Sequence, residues 1–178
     1  MKQTLGLLWV IGALSFGGAP AFAAAEIEFE ADAPWKETQQ ALPPYPQDTD
    51  LIELKLDGPD TGFDYRIDAK SLLLGADGVV HYTAILTSHS GVSNVLREGL
   101  RCATKQYKTY GYGTSELTLV ALEKSEWRKI EGQGQAGFRR ELLNHYMCDS
   151  LHIALQPVQI LKRLQHPASF SSRPDPGF

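Results

Sequence analysis

Val79-Val80-His81-Tyr82-Thr83-Ala84-Ile85-Leu86 is the stretch that decides the fold. Val80, Tyr82, Ala84 and Leu86 alternate with Val79, His81, Thr83 and Ile85, an apolar set against a mixed one. A period of two places successive side chains on opposite faces, which is the signature of a β-strand with one face on a core. Ala76-Asp77-Gly78 leads into the stretch and Ser90-Gly91 leads out of it, and both are turn signals. A strand entered and left by tight turns has antiparallel neighbours, because a parallel neighbour needs a crossover of a dozen residues or more.

The same period extends outward. Upstream, Phe63, Tyr65 and Ile67 alternate with Asp64, Arg66 and Asp68, and before them Ile52, Leu54 and Leu56 alternate with Glu53 and Lys55. The dense turn Asp57-Gly58-Pro59-Asp60-Thr61-Gly62 joins these two runs into a hairpin. Downstream, Asn94 to Thr104, Tyr107 to Tyr112 and Leu117 to Leu122 read as three further strands. Past Gly132-Gln133-Gly134-Gln135 the period changes: Phe138, Leu142, Leu143 and Tyr146 form one buried helical stripe over 137–148, with Arg139, Arg140 and Asn144 outside it. Pro157 suits the first turn of a second helix carrying Val158, Leu161 and Leu164. The expectation is a single α+β domain over residues 50–165: an antiparallel meander of about six strands with a C-terminal helix packed on one face. Residues 166–178, with prolines at 167, 174 and 176, read as a flexible tail.

The chain of 178 residues carries 17 Lys and Arg against 21 Asp and Glu, a formal charge of −4. That balance lacks the basic surplus that phosphate contacts require, so nucleic acid is excluded as an expected partner. Lys2, the apolar run Leu5 to Phe16, the break at Gly17-Gly18 and the small residues of Ala21-Phe22-Ala23 form a signal-peptide pattern over residues 1–23, with cleavage expected after Ala23. The apolar run falls short of the ~18–20 residues that a membrane-crossing helix needs, and no transmembrane span is expected elsewhere. Export to an oxidising compartment turns Cys102 and Cys148 into an expected disulfide. Closing a loop of 46 positions (148 − 102) is worth about 4 kcal/mol in the chain-entropy model. A redox cysteine would want a Cys-x-x-Cys pair or an activating base, and neither is in the sequence. Residues 24–49 are acidic and then proline-punctuated, with Leu42-Pro43-Pro44-Tyr45-Pro46 at their centre. Proline fixes φ and removes a donor, so this stretch is expected to be an extended arm, tethered by Trp35 and Tyr45 and docked across an edge of the sheet.

Four clusters carry a resemblance. They are Trp35-Lys36-Glu37 with Leu42-Pro43-Pro44-Tyr45-Pro46; Asp77-Gly78-Val79-Val80-His81-Tyr82-Thr83; Glu98-Gly99-Leu100-Arg101-Cys102-Ala103 with Tyr107 and Tyr110; and Trp127-Arg128-Lys129-Ile130 with the helix ending Tyr146-Met147-Cys148. In order and spacing, over about residues 35 to 165, the chain resembles the CNP1-like family of small exported proteins of Gram-negative bacteria. Thr114 to Leu122 departs from the pattern in lacking an aromatic residue. The resemblance implies an envelope protein with no assigned activity, and the signal-peptide pattern implies a periplasmic location. A second, purely architectural likeness is to small surface adhesins of the protein-E type, which pair a late cysteine in a meander with a C-terminal helix.

Three groups of residues could carry chemistry. Alternation puts Glu98 on the same face as Leu96, Leu100 and Cys102, where a carboxylate needs a partner or a raised pKa. Either it marks a site, or a bulge at Gly99 turns it outward, or an arginine such as Arg101 satisfies it. His145, Asp149 and His152 would line one stripe of a continuous helix as metal ligands do, but the alternation of Leu151, Ile153 and Leu155 ends the helix near Cys148, and no metal site is expected. Tyr107, Tyr110 and Tyr112 interleave with Lys105 and Lys108, either as a stacking surface for a sugar or peptide or as cross-strand packing. No Gly-x-Ser-x-Gly elbow, phosphate loop or His-Glu-x-x-His occurs. The expected role is a non-catalytic binding or assembly factor for an envelope protein or cell-wall component, without a cofactor, using a patch around Glu98, Arg101, Tyr110 and Tyr112. The alternative is a small-substrate hydrolase that uses Glu98 with His81 or His145.

Overall fold

Strand β4 (Val79–Ser88) is the axis of the sheet in the computed structural model, which describes residues 34–57, 61–131 and 137–167. β1 (Leu51–Glu53), β2 (Phe63–Asp68), β4, β5 (Ser93–Arg101), β6 (Gln106–Gly113) and β7 (Leu119–Ala121) lie side by side in that order, every pairing antiparallel. This is the expected meander. Two further strands of two residues each, β3 (Leu73–Leu74) against β4 and β8 (Arg128–Lys129) against β6, complete the sheet. Two residues cannot display a period, so neither was legible in the sequence. The strand expected over 117–122 shortens to three residues, because Thr114 and Thr118 close a turn between β6 and β7 and Leu117 takes a left-handed φ of 54°.

One face of the sheet carries Tyr65, Ile67, Val80, Tyr82, Ala84 and Leu100, all buried under the helical layer. That layer begins with α1 (Gly137–Glu141), which continues as a π-helical turn (Leu142–Met147) and stops at Cys148 in extended conformation. The wider winding of a π-turn lets four residues, Leu142, Leu143, Tyr146 and Met147, face the core at once. Each fully buried large apolar side chain of this kind contributes about 1.5–3 kcal/mol. The second helix, α2 (Pro157–Gln165), has the expected proline at its start but a different buried stripe. Ile160 and Leu164 are buried, one turn apart, whereas Val158 is 72% exposed. The stripe expected on Val158 is corrected accordingly, since 158 lies two positions from 160 and so on the far side of the helix. The disulfide joins Cys102, just past β5, to Cys148 at the helix end, with the two Cα atoms 5.8 Å apart. The hydroxyl of Tyr146 donates to the Lys55 carbonyl beyond β1, at 2.8 Å.

The opposite face is covered as well, so that Val79, His81, Thr83 and Ile85 are all buried. The proline-rich arm, expected at an edge, lies instead across this second face over β5 and β6. Trp35 Nε1 donates to the Asp77 carbonyl at 2.9 Å, and the Thr38 amide donates to Asp77 Oδ2 at 2.8 Å. Further along, a Cβ on Gly113 would stand 2.9 Å from the Tyr45 ring and 2.7 Å from Val95, so glycine there lets the arm approach the strand closely. Of the polar members of the second face of β4, Thr83 accepts from Arg97 Nη1 of β5 at 3.5 Å, whereas His81 is enclosed with neither ring nitrogen hydrogen-bonded. The signal-peptide pattern, the first part of the arm (residues 24–33) and the tail from 168 lie outside the described residues. No helix among the described residues is long and apolar enough to cross a membrane.

Candidate functional site

Glu98 points into the core side of the sheet, as alternation requires, and is completely buried. Its carboxylate is saturated by four donors. Tyr82 Oη donates to Oε2 at 2.8 Å and Thr109 Oγ1 to Oε1 at 2.9 Å, while Arg139 Nε and Nη2 clamp Oε2 and Oε1 at 2.9 and 2.5 Å. The fork of a guanidinium matches the two carboxylate oxygens in geometry as well as charge. Arg139 in turn stacks over the rings of Tyr107 and Phe138, at 4.1 and 4.5 Å. Burial alone would lower the Arg139 pKa, but the hydrogen bonds and charge of Glu98 outweigh it and raise the guanidinium above its ordinary value. Burial, and then the Glu98 charge, pushes the Tyr82 phenol well up, so it remains a donor.

A second carboxylate organises the other face. Glu37, in the arm, accepts from Lys108 Nζ at 2.9 and 3.0 Å, from Tyr110 Oη at 2.8 Å and from Trp127 Nε1 at 3.3 Å. Burial works to raise its pKa, but these donors more than offset it and hold the carboxyl below the usual range. Burial and the Glu37 hydrogen bond raise the Tyr110 phenol. Around this centre Trp35 and Tyr110 each meet Trp127 edge-to-face, and the Arg101 guanidinium lies 3.8 Å above the Trp35 ring. Beneath the arm sits His81, 1% exposed, its ring 5.2 Å from Tyr110 and neither ring nitrogen hydrogen-bonded. Burial first, and then the charge of Arg97, depresses its pKa to about 4 against the opposing pull of Asp77 and Glu37. Arg97, itself lowered to about 10 by burial, donates to the Ser71 carbonyl at 2.8 Å.

The four residues expected to form one patch are divided between the faces. Glu98 is enclosed on the helix side, and Arg101 and Tyr110 lie on the arm side. The β5–β6 register shifts between Arg97 and Glu98: Glu98 faces Thr109 whereas Arg97 faces Gly111, which leaves Tyr110 as the extra residue of a bulge. The bulge therefore lies in β6 rather than at Gly99, and it sends Tyr110 to the arm and Tyr112 to the helix side, where Tyr112 is 44% exposed beside Leu96. The arginine that satisfies Glu98 is Arg139 in place of the expected Arg101. His145, Asp149 and His152 do not converge, because the helix ends at Cys148. Asp149 Oδ1 accepts from the amides of Leu151 and Ile153, His145 lies 3.9 Å from Glu141, and no cluster of three potential metal ligands occurs among the described residues.

Arg139, Glu37 and Trp127 were quoted from the sequence but given no role in a site. Glu98 carried a signal for the first of them: a carboxylate on an apolar strand face demands a cation, and Arg139 is adjacent to Phe138 at the start of the helix that covers that face. Glu37 and Trp127 are separated by 90 positions and nothing local connects them.

Between the arm and the β6–β7 side of the sheet an open groove of about 720 Å³ remains, lined by Gln39, Gln40 and Leu42 on one side and Ala121, Leu122 and Glu123 on the other. The Glu37–Lys108 pair and Tyr110 lie along it. Its size falls within the ~300–1,000 Å³ common for ligand pockets.

No curated protein and no solved structure matches the chain. A family model does, over residues 30–165, a span that takes in Glu37 and the proline-rich part of the arm, Glu98, the disulfide and both helices. By that match the chain belongs to the CNP1-like family.

Proposed function

We propose that this is an exported protein of the Gram-negative cell envelope, retained in the periplasm, that acts by binding an envelope protein or cell-wall component and not by catalysis. One observation carries the reading: each conspicuous charged group is satisfied from within, while the groove beside the arm is open. Glu98 is fully enclosed and four-fold hydrogen-bonded, an arrangement that stabilises a fold and leaves no lone pair for a substrate. The hydrolase alternative needs Glu98 beside a histidine at a cleft. His81, however, extends from the opposite face of the sheet, and His145 neighbours Glu141. The disulfide suits an oxidising compartment and supports export.

The test is photo-crosslinking in living cells, with a photoreactive residue at Gln40 in the groove and, as a control, at Leu151 in the exposed turn between Cys148 and α2. A discrete adduct from Gln40 and none from Leu151 is the expected result. Repeated absence of any adduct, or fractionation that leaves the chain in the cytosol with residues 1–23 attached, overturns the reading.

A further inference from the structure

The two walls of the groove share a property that narrows the class of ligand. Gln39 to Leu42 is backbone in no helix or strand, and no hydrogen bond ties its main chain to any other described residue. The opposite wall is the open edge of the sheet. The Leu122 amide donates to the Tyr110 carbonyl at 2.8 Å and the Thr114 amide to the Thr118 carbonyl at 2.9 Å, which fixes the phase of the β6–β7 ladder. Ala121, opposite Gly111, therefore falls in a non-hydrogen-bonded position, so its N–H and C=O point away from β6. β7 ends the sheet, and no described strand meets those groups. Unpaired main-chain donors and acceptors on two walls of one open groove are what an extended polypeptide pairs with when it adds to a sheet edge. The side chains fit the same occupant. Leu42 and Leu122 offer apolar contact, Gln39 and Gln40 can bond to a peptide backbone, and the charges of Glu37 and Lys108 already neutralise each other.

We propose that the groove between Gln39–Leu42 and the β7 edge holds an extended peptide segment of the partner, recognised chiefly through main-chain hydrogen bonds to Ala121 and the arm. This rests on the binding reading above and names the chemistry of its partner.

The full chain, purified with its disulfide intact, is screened against a library of acetylated and amidated octapeptides. The best binder is then remade with alternate backbone nitrogens methylated. A second measurement uses Ala121→Pro, which deletes the outward N–H at an edge position that tolerates proline and leaves the bonds to β6 in place. Support consists of peptide binding that weakens at least tenfold on N-methylation, and likewise in Ala121→Pro at unchanged melting temperature. The methylated peptide keeps the test valid if the variant fails to fold. Peptides that bind equally well after methylation overturn the main-chain mechanism. If no peptide binds while cell-wall glycan fragments do, or while crosslinking at Gln40 still recovers a partner, the peptide inference falls and the binding reading survives. If neither peptide, glycan nor crosslinked adduct is found, both fall.

Discussion

Arg139→Met separates a structural Glu98 from a catalytic one. The variant keeps the stem that packs near Tyr107 and Phe138 but removes both guanidinium contacts, at 2.9 and 2.5 Å, and leaves a wholly buried carboxylate with two neutral hydroxyl donors. Breaking a buried ion pair by deleting one partner costs about 3–5 kcal/mol, because the remaining charge keeps its desolvation penalty. Loss of the cation–ring contacts adds about 0.5–1 kcal/mol. Against a net stability of about 5–15 kcal/mol this is a large fraction. The double variant Glu98→Gln/Arg139→Met removes both charges and is expected to recover about 2 kcal/mol or more, since an uncharged amide can still bond to Tyr82 and Thr109. Urea unfolding followed by tryptophan fluorescence reads both effects. With a slope of about 2 kcal/mol/M, a loss of 4 kcal/mol moves the midpoint by about 2 M. An Arg139→Met cost below about 1 kcal/mol, or a double variant no more stable than the single, would refute the argument that this pair is a buried structural clamp. A carboxylate kept for catalysis would behave oppositely, with its removal stabilising the fold.

Three other outcomes follow from the geometry. In the unfolded chain His81 takes up a proton near its ordinary pKa of 6.5, but in the folded protein only near 4. Its contribution is therefore complete above pH 6.5 and is lost as the pH falls towards 4, by about 2–3 kcal/mol. Measured from pH 7 to 4, His81→Leu should lose stability less steeply than the unaltered protein, and parallel curves would rule the effect out. Reducing the Cys102–Cys148 bond should lower stability by about 4 kcal/mol, read as the shift between oxidised and reduced urea midpoints, and coincident midpoints would contradict it. Glu37→Gln should loosen the arm, raising proteolytic cleavage near residues 36–42 several-fold while hydrogen exchange in β4 stays slow; cleavage at an unchanged rate would show that Glu37 does not hold it.

The sheet was readable because its pattern is local. Val79 to Leu86 displays its period within eight residues, and the turns at Asp77-Gly78 and Ser90-Gly91 announce themselves. The helix was readable for the same reason, as was the disulfide once a signal-peptide pattern was read as an expectation of export. Two kinds of feature were hidden. The first is register: nothing in Tyr107 to Tyr112 announces that Tyr110 is an inserted residue, although the bulge decides which tyrosine meets the arm. The second is long-range pairing. Glu98 advertised a need that alternation exposed, but the choice of Arg139 over Arg101 depends on where the helix crosses the sheet. Arg101 was instead drawn to Trp35 by the arm, whose path over a face was not encoded in any local pattern, because proline-rich backbone carries no period. The mixed composition on the second side of β4 hinted at such a cover, since a solvated face would not need both Val79 and Ile85.

The strap over the sheet also orders events in time. Residues 35–46 leave the ribosome early, yet the groups that seat them include Asp77, Tyr110 and Trp127, the last of which emerges some 90 positions after Glu37. Contacts of such long separation form slowly. Until they close, Val79, His81 and Ile85 stand uncovered on a nascent sheet, a sticky surface in a crowded compartment. A strap that precedes the sheet in the chain is thus seated only after the sheet has formed.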